Sequence, residues 1–165
     1  MLIVGCGCRG RHLAHALRGD GLEVRGTSRT EEGRAAIESF GAHGVLADPL
    51  HLGSMLPALD GVSALVWLLG SASGPRRQVS TLNRERLAAM LDVLVDTPVR
   101  GVVYEASGDV DPALLAGGAE VLRRAARTWR IPIALVEAPR ADPDAWVEAM
   151  ADGVRKAISA AGGVN

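Results

Sequence analysis

A chain of 165 residues that is 48% hydrophobic has the size of one domain and enough apolar mass for a full core, which excludes intrinsic disorder. Its formal net charge of −1 gives no electrostatic reason to expect nucleic acid as a partner. No apolar run reaches the ~18–20 residues that cross a bilayer, and Met1-Leu2-Ile3-Val4-Gly5 lacks the basic start of a signal peptide, so no membrane partner and a cytoplasmic location are expected.

Leu2–Val4 reads as the first strand and residues 11–18 as the first helix, with Leu13, Ala14 and Leu17 on its apolar face. Between them stands Gly5-Cys6-Gly7-Cys8-Arg9-Gly10, a G-x-G-x-x-G. In that position the first glycine permits a tight turn. The second lets the backbone approach a pyrophosphate, and the third lets helix and strand pack closely. Amides at the helix N-terminus then face the anion. A dinucleotide cofactor is therefore expected on Gly5, Gly7, Cys8, Arg9 and Gly10; the alternative is a plain tight turn. Cys6 and Cys8 are the only cysteines and are poorly placed to bond each other. They read as small side chains packed around the turn, or as a redox-sensitive pair beside the cofactor.

Gly19-Asp20-Gly21 ends the helix, and residues 22–26 read as the second strand. That strand runs into Arg25-Gly26-Thr27-Ser28-Arg29-Thr30. A site for NAD usually carries an acid about 20 residues past the glycines, on the ribose hydroxyls. No acid lies between Arg25 and Thr30. Arg29 offers paired donors to a 2′-phosphate, and Thr27 and Ser28 add hydrogen bonds, so NADP is expected over NAD. Thr30 is a candidate cap for a helix over 31–40, with Glu31 and Glu32 in its first turn.

Residues 44–47 read as the third strand. Asp48 follows it, either as an acceptor for an adenine amino group or as a cap. A helix over 52–59 is weakened by Gly53 and Pro57, and Asp60-Gly61 turns the chain. The run 62–69 is apolar except for Ser63, as in a strand buried on both faces. Leu69 and Gly70 open the loop after it, near the point where ligands lie in such sheets, and they are candidate cofactor contacts; a plain loop is the alternative. Arg76 and Arg77 read as a solvated loop or an anion-holding pair.

A long amphipathic helix is expected over 80–95, a strand over 99–106, a turn at Ser107-Gly108-Asp109 and a helix over Pro112–Trp129. A strand over 131–136, a turn at Ala138-Pro139-Arg140, a helix over 143–160 and a fraying tail from Gly162 complete the chain. Six strands alternating with helices imply a three-layer, doubly wound Rossmann fold with a mostly parallel sheet, as one domain of residues 1–165. His12 and His15 have no further ligand in view, so no metal is expected. Trp67, Trp129 and Trp146 read as core or contact residues.

Taken together, Gly5-Cys6-Gly7-Cys8-Arg9-Gly10, Gly26-Thr27-Ser28-Arg29, Ala47-Asp48 and Tyr104-Glu105-Ala106-Ser107-Gly108 resemble the short-chain dehydrogenase/reductase superfamily, above all its atypical, extended-like members. The late segment 131–136 with Ala138-Pro139-Arg140 extends the resemblance over nearly the whole chain. Extended members space their glycines G-x-x-G-x-x-G, and this chain departs from that.

The resemblance implies an NAD(P)-dependent oxidoreductase with a Tyr and a Lys four residues apart on the helix before the late strand. In such enzymes the Tyr moves a proton, and the Lys lowers its pKa and holds the nicotinamide ribose. A Glu follows four residues on. Glu120 fits that Glu, which puts the Lys position at Ala116 and the Tyr position at Pro112. Tyr104 is the only tyrosine and Lys156 the only lysine, so no Tyr-x-x-x-Lys pair exists anywhere in the chain. Ser107 matches the catalytic serine after the fifth strand and is the one catalytic candidate; a cofactor hydrogen bond or a turn cap are its other readings.

The resemblance also implies a homodimer through the helices at 80–95 and 112–129. The expected function is an NADP(H)-binding, oxidoreductase-like protein with a non-standard active site, the proton coming from water or from a group such as Ser107 or Glu105. The alternative is a non-enzymatic dinucleotide-binding redox sensor or regulatory module.

Overall fold

The computed structural model describes residues 1–138 and 141–162. The turn expected at Pro139-Arg140 and the tail from Gly163 lie outside the described residues. Six parallel strands form one sheet in the order β3-β2-β1-β4-β5-β6. They are β1 (Leu2–Val4), β2 (Arg25–Ser28), β3 (His43–Leu46), β4 (Ala64–Trp67), β5 (Gly101–Glu105) and β6 (Ile133–Val136). This is the doubly wound Rossmann order, with the reversal between β1 and β4. The expected fold class is borne out.

Helices α1 (Cys8–Gly19), α2 (Glu31–Ser39) and α7 (Pro143–Gly162) cover one face of the sheet. The other face carries α3 (Leu52–Met55), α4 (Arg76–Thr81), α5 (Leu87–Leu94) and α6 (Pro112–Trp129). Strand residues alternate between these two cores, as the pleat dictates. Leu2, Val4, Leu65, Trp67, Val102 and Tyr104 face α3–α6, whereas Ile3, Ala64, Val66 and Val103 face α1, α2 and α7. β4 and β5 are buried along their whole length, which explains why the sequence there, up to the closing Glu105, is apolar without alternation.

Four elements depart from expectation for local reasons. α1 starts at Cys8, three residues before the apolar periodicity begins, because Gly7 is extended at the N-cap and its carbonyl accepts from Arg11 N (3.0 Å). β2 begins at Arg25, not at Leu22. Gly21 has φ +81°, its N–H donates to Arg18 O (2.9 Å), and Leu22 N–H donates to Leu17 O (3.1 Å). These are the paired bonds of a Schellman stop, so Leu22 belongs to the helix terminus and its apolar side chain packs back on the core.

The third departure is the long helix expected at 80–95. It starts at Arg76 as α4 and passes through a π-helical stretch, Leu82–Arg86, before continuing as α5. The expected helix at 52–59 splits into α3 and a 3₁₀ turn at Leu56–Leu59, with Pro57 in the first turn of the latter. Thr30 does cap α2, its Oγ1 accepting from Gly33 N (3.1 Å).

Candidate functional site

The carboxyl ends of β1, β2, β3 and β4 open into a cleft of about 330 Å³ at the switch point. Its floor is the glycine turn. Gly5 has φ +78°, and a Cβ there would stand 2.6 Å from Leu68 O and 2.7 Å from Leu69 Cδ2. Only glycine fits that conformation and that approach. Around Gly7 nothing lies within 4 Å of the Cβ position, so its backbone faces open space. A Cβ at Gly10 would stand 3.3 Å from Leu68 Cδ1 and 3.4 Å from Cys6 Sγ, the close helix–strand approach expected of the third glycine.

Thr27 anchors this turn from β2. Its Oγ1 accepts from Gly5 N (3.1 Å) and its carbonyl accepts from Cys6 N (3.1 Å). Cys6 is buried against Gly26, where any Cβ would come within 2.7 Å of Sγ, and burial pushes the Cys6 thiol up to about 12. Cys6 is thus a small packing residue with an inert thiol. Cys8 is exposed.

The structure divides the expected cofactor residues into three groups. Gly5, Gly7, Thr27, Ser28, Arg29, Asp48 and Leu69 line the cleft together. Cys8, Arg9 and Gly10 line a second, adjoining cavity of about 230 Å³ on the α7 side, which Gly5 and Gly7 share. Gly70 lines neither. It sits behind the cleft, with its N–H donating to Glu105 Oε2 (3.0 Å) and its carbonyl accepting from Val110 N (3.0 Å). Asp48 is engaged in the loop ahead of α3: Oδ1 accepts from Leu50 N (3.0 Å) and Oδ2 lies 3.1 Å from His51 Nδ1, while the N-cap of α3 is His51.

Glu105 ends β5, is 2% exposed, and accepts through Oε1 from Trp146 Nε1 (3.2 Å). The guanidinium of Arg9 lies over the Trp146 ring at 5.0 Å and donates to Ser71 Oγ (2.7 Å). Arg9, Ser71, Gly70, Glu105 and Trp146 so form a ring that ties α1, the β4 and β5 exits and α7 around the second cavity. None of these partnerships is local in sequence, and Trp146 was legible only as a core or contact residue.

Pro112 and Ala116 line a separate cavity of about 410 Å³ together with Ser107. The Ser107 hydroxyl donates to Ala138 O (2.8 Å) and accepts from Ala138 N (3.2 Å), stapling the β5 and β6 exits to each other. Glu120 points to solvent and pairs with Arg127 (3.1 Å). Arg76 pairs with Asp111, the N-cap of α6, across 2.5 Å; that contact holds the Asp111 carboxyl below its ordinary value.

Tyr104 is fully buried on the α4–α6 side, and Lys156 is on α7, paired with Asp152 (2.6 Å). The Tyr104 hydroxyl donates to Asn83 Oδ1 (2.9 Å), and burial raises its pKa, with the Glu105 charge adding to the effect. Asn83 lies in the π-helical stretch and is 0% exposed. Its Nδ2 donates to Val79 O (3.0 Å), answering a carbonyl from the turn where the helix changes pitch. Replacing Tyr104 with Phe is expected to lower stability by about 1–2 kcal/mol, because Asn83 Oδ1 loses its donor in the core. Urea unfolding of the two proteins measures this, and equal midpoints would remove the bond from the account.

Among the described residues no three or more His, Cys, Asp or Glu side chains converge as a metal site, and no helix is long and apolar enough to cross a membrane. His12 packs edge-on against Phe40 at 5.1 Å. On the surface of α5 and α6 a groove of about 240 Å³ mixes Leu91 and Val121 with Asp92 and Arg124.

No protein-family profile and no curated protein matches the chain. Solved structures do. A short-chain dehydrogenase/reductase superfamily protein from Agrobacterium tumefaciens with bound NAD is 23% identical, with a TM-score of 0.67 over 81% of this chain and 47% of that one. Triphenylmethane reductase from Citrobacter sp., complexed with NADP(H), is 20% identical, with a TM-score of 0.62 over 86% of this chain and 50% of that one. A UDP-glucose 4-epimerase from Thermotoga maritima with UDP-glucose is 13% identical, with a TM-score of 0.67 over 86% of this chain and 57% of that one. The chain thus spans about half the length of the structures it matches and has the fold of short-chain dehydrogenase/reductase superfamily proteins.

Proposed function

We propose that this protein binds a nicotinamide dinucleotide across the glycine turn, NADP(H) in preference to NAD(H), and that it is oxidoreductase-like with a non-standard active site. The donor set of the cleft carries the reading. Gly7 leaves its backbone open to a phosphate, and Arg29 faces the same space from the end of β2. Arg11 Nε beside the cleft and Arg9 Nη1 beside the adjoining cavity are buried without a hydrogen-bond partner among the described residues. A buried donor with no acceptor costs about 1–3 kcal/mol, so such atoms at a cleft mark a place for an anion. Among the described residues the one acid lining the cleft, Asp48, is already held by Leu50 and His51.

When bound, the cofactor supplies hydride-transfer chemistry. The chain's own part is to seat the phosphates on the glycine turn and to fix the adenosine end with Ser28 and Arg29. The chain has no Tyr-x-x-x-Lys pair to move the accompanying proton. Ser107 has its one proton committed to Ala138 O, and Glu105 is held by Gly70 and Trp146. Those commitments favour the second reading, a dinucleotide-binding sensor without turnover. A homodimer through α5 and α6 remains part of the proposal.

Titrating the protein with NADPH and NADH, followed by cofactor fluorescence, tests binding; no response to either overturns the reading. Arg29→Ala is expected to weaken NADPH by about 10-fold and leave NADH unchanged, as loss of one charge-assisted contact implies. An unchanged preference removes Arg29 from the site. NADPH oxidation against carbonyl and quinone acceptors then separates enzyme from sensor.

A further inference from the structure

We infer that Glu105 sets the redox-state preference of the bound dinucleotide, favouring the oxidised cofactor, whose nicotinamide ring carries a positive charge, over the neutral reduced one; this rests on the dinucleotide reading above. Topology separates the two ends of the site. Thr27, Ser28, Arg29 and Asp48, at the exits of β2 and β3, line the cleft on one side of β1. Ser71 and Glu105, at the exits of β4 and β5, line the adjoining cavity on the other side. Gly5 and Gly7 line both. A dinucleotide with its phosphates on the glycine turn and its adenosine against Ser28 and Arg29 therefore has the second cavity left for its nicotinamide end.

Glu105 gives that cavity a fixed negative charge. It ends β5 with 2% of its surface exposed. Oε2 accepts from Gly70 N (3.0 Å) and Oε1 from Trp146 Nε1 (3.2 Å), and donors on both oxygens favour the ionised carboxylate. With Leu68 and Trp146 beside it and little water around, the carboxylate acts on a charge in the cavity with weak screening. It does so through space and needs no open hydrogen-bonding surface. Among the described residues Arg9 is the other charge on the cavity. It stands in the first turn of α1, over Trp146, at the end assigned to the phosphates, whose own negative charge offsets it. A positive ring is thus stabilised by Glu105, and a neutral one gains nothing from it.

Calorimetry with NADP⁺, NADPH and 2′,5′-ADP, which lacks the ring, tests this on the wild-type chain and on Glu105→Gln, with a thermal melt of each. Wild-type protein is expected to bind NADP⁺ about 10-fold more tightly than NADPH, as one weakly screened charge pair implies. Glu105→Gln keeps the shape and one acceptor oxygen. It is expected to lose about 10-fold in NADP⁺ affinity while NADPH and 2′,5′-ADP bind as before. A merely structural Glu105 would weaken all three alike. That result, or an unchanged ratio of NADP⁺ to NADPH affinity, overturns the assignment. So does a wild-type chain that binds NADPH as tightly as NADP⁺ or more tightly, a comparison that needs no variant. In each of these cases the dinucleotide reading stands. Wild-type protein that binds none of the three, nor NAD⁺ nor NADH, overturns both.

Discussion

Gly5→Ala is expected to eliminate NADPH binding and to cost about 2–4 kcal/mol of stability, the sum of a left-handed backbone forced on a residue with a Cβ and a collision with fixed neighbours. The conformation at φ +78° is the first part. The second is steric, because the new methyl would stand 2.6 Å from the carbonyl oxygen of Leu68, a backbone atom that is itself fixed by the bond from Leu68 N to Val4 O (2.9 Å). The turn can yield only by moving Gly7 and the start of α1, which displaces the amides proposed to face the phosphates. Urea unfolding and NADPH fluorescence together measure the two effects. Wild-type affinity in the variant would show that the turn is not the phosphate seat.

Trp146→Ala is expected to be the more destabilising change, by about 3–5 kcal/mol, in line with other large-to-small substitutions of buried aromatics. Trp146 is 1% exposed and belongs to the core between the sheet and α1, α2 and α7. Its removal leaves a void, deprives Glu105 of the indole donor and takes away the surface under Arg9. Trp146→Phe separates these contributions. It keeps most of the ring but no N–H, so about 1–3 kcal/mol of loss is expected from the Glu105 bond alone. Since a domain of this kind is stable by about 5–15 kcal/mol, the alanine variant forfeits a large share. Chemical denaturation followed by circular dichroism decides it, and a loss under about 1 kcal/mol for Trp146→Ala would refute the packing role.

The elements that were legible in sequence are those whose signal is local. The apolar run around β4, the Thr30 cap and Pro112 at the start of α6 each appear where the pattern places them. β2 was displaced because Leu22 serves two grammars at once: it is apolar like a strand residue, yet its N–H closes the stop of α1. The π-helical stretch had no local signal, and its buried Asn83 meets Tyr104 only across 21 positions.

The candidate site divides the same way. The glycine turn and Arg29 carry recognisable spacing. Glu105 and Trp146 come together over 41 positions and become partners only through the topology. Arg11 was readable in principle, because it stands one helical turn beyond Gly7 and so shares its side of the helix. Gly70 looked like a ligand-facing glycine. Its lack of a side chain instead admits Glu105, whose carboxylate would lie 2.8 Å from any Cβ there.

The strand order has a consequence for how the chain acquires its shape. β1 is made of residues 2–4 yet occupies the middle of the sheet, with Leu2 opposite Arg25 on one side and Leu65 on the other. β1, the earliest of these six strands in the chain, therefore waits for β4 before its second edge is paired and its neighbours are enclosed. Until then a fully apolar segment and an open parallel edge persist in a partly formed chain, and the closing contact must be found across more than a third of the sequence. Long-range closure of this kind slows folding and exposes intermediates to association. The glycine turn inherits the same delay: the Leu68 carbonyl that crowds Gly5 arrives with β4, so the proposed phosphate seat takes shape only when the middle of the sheet closes.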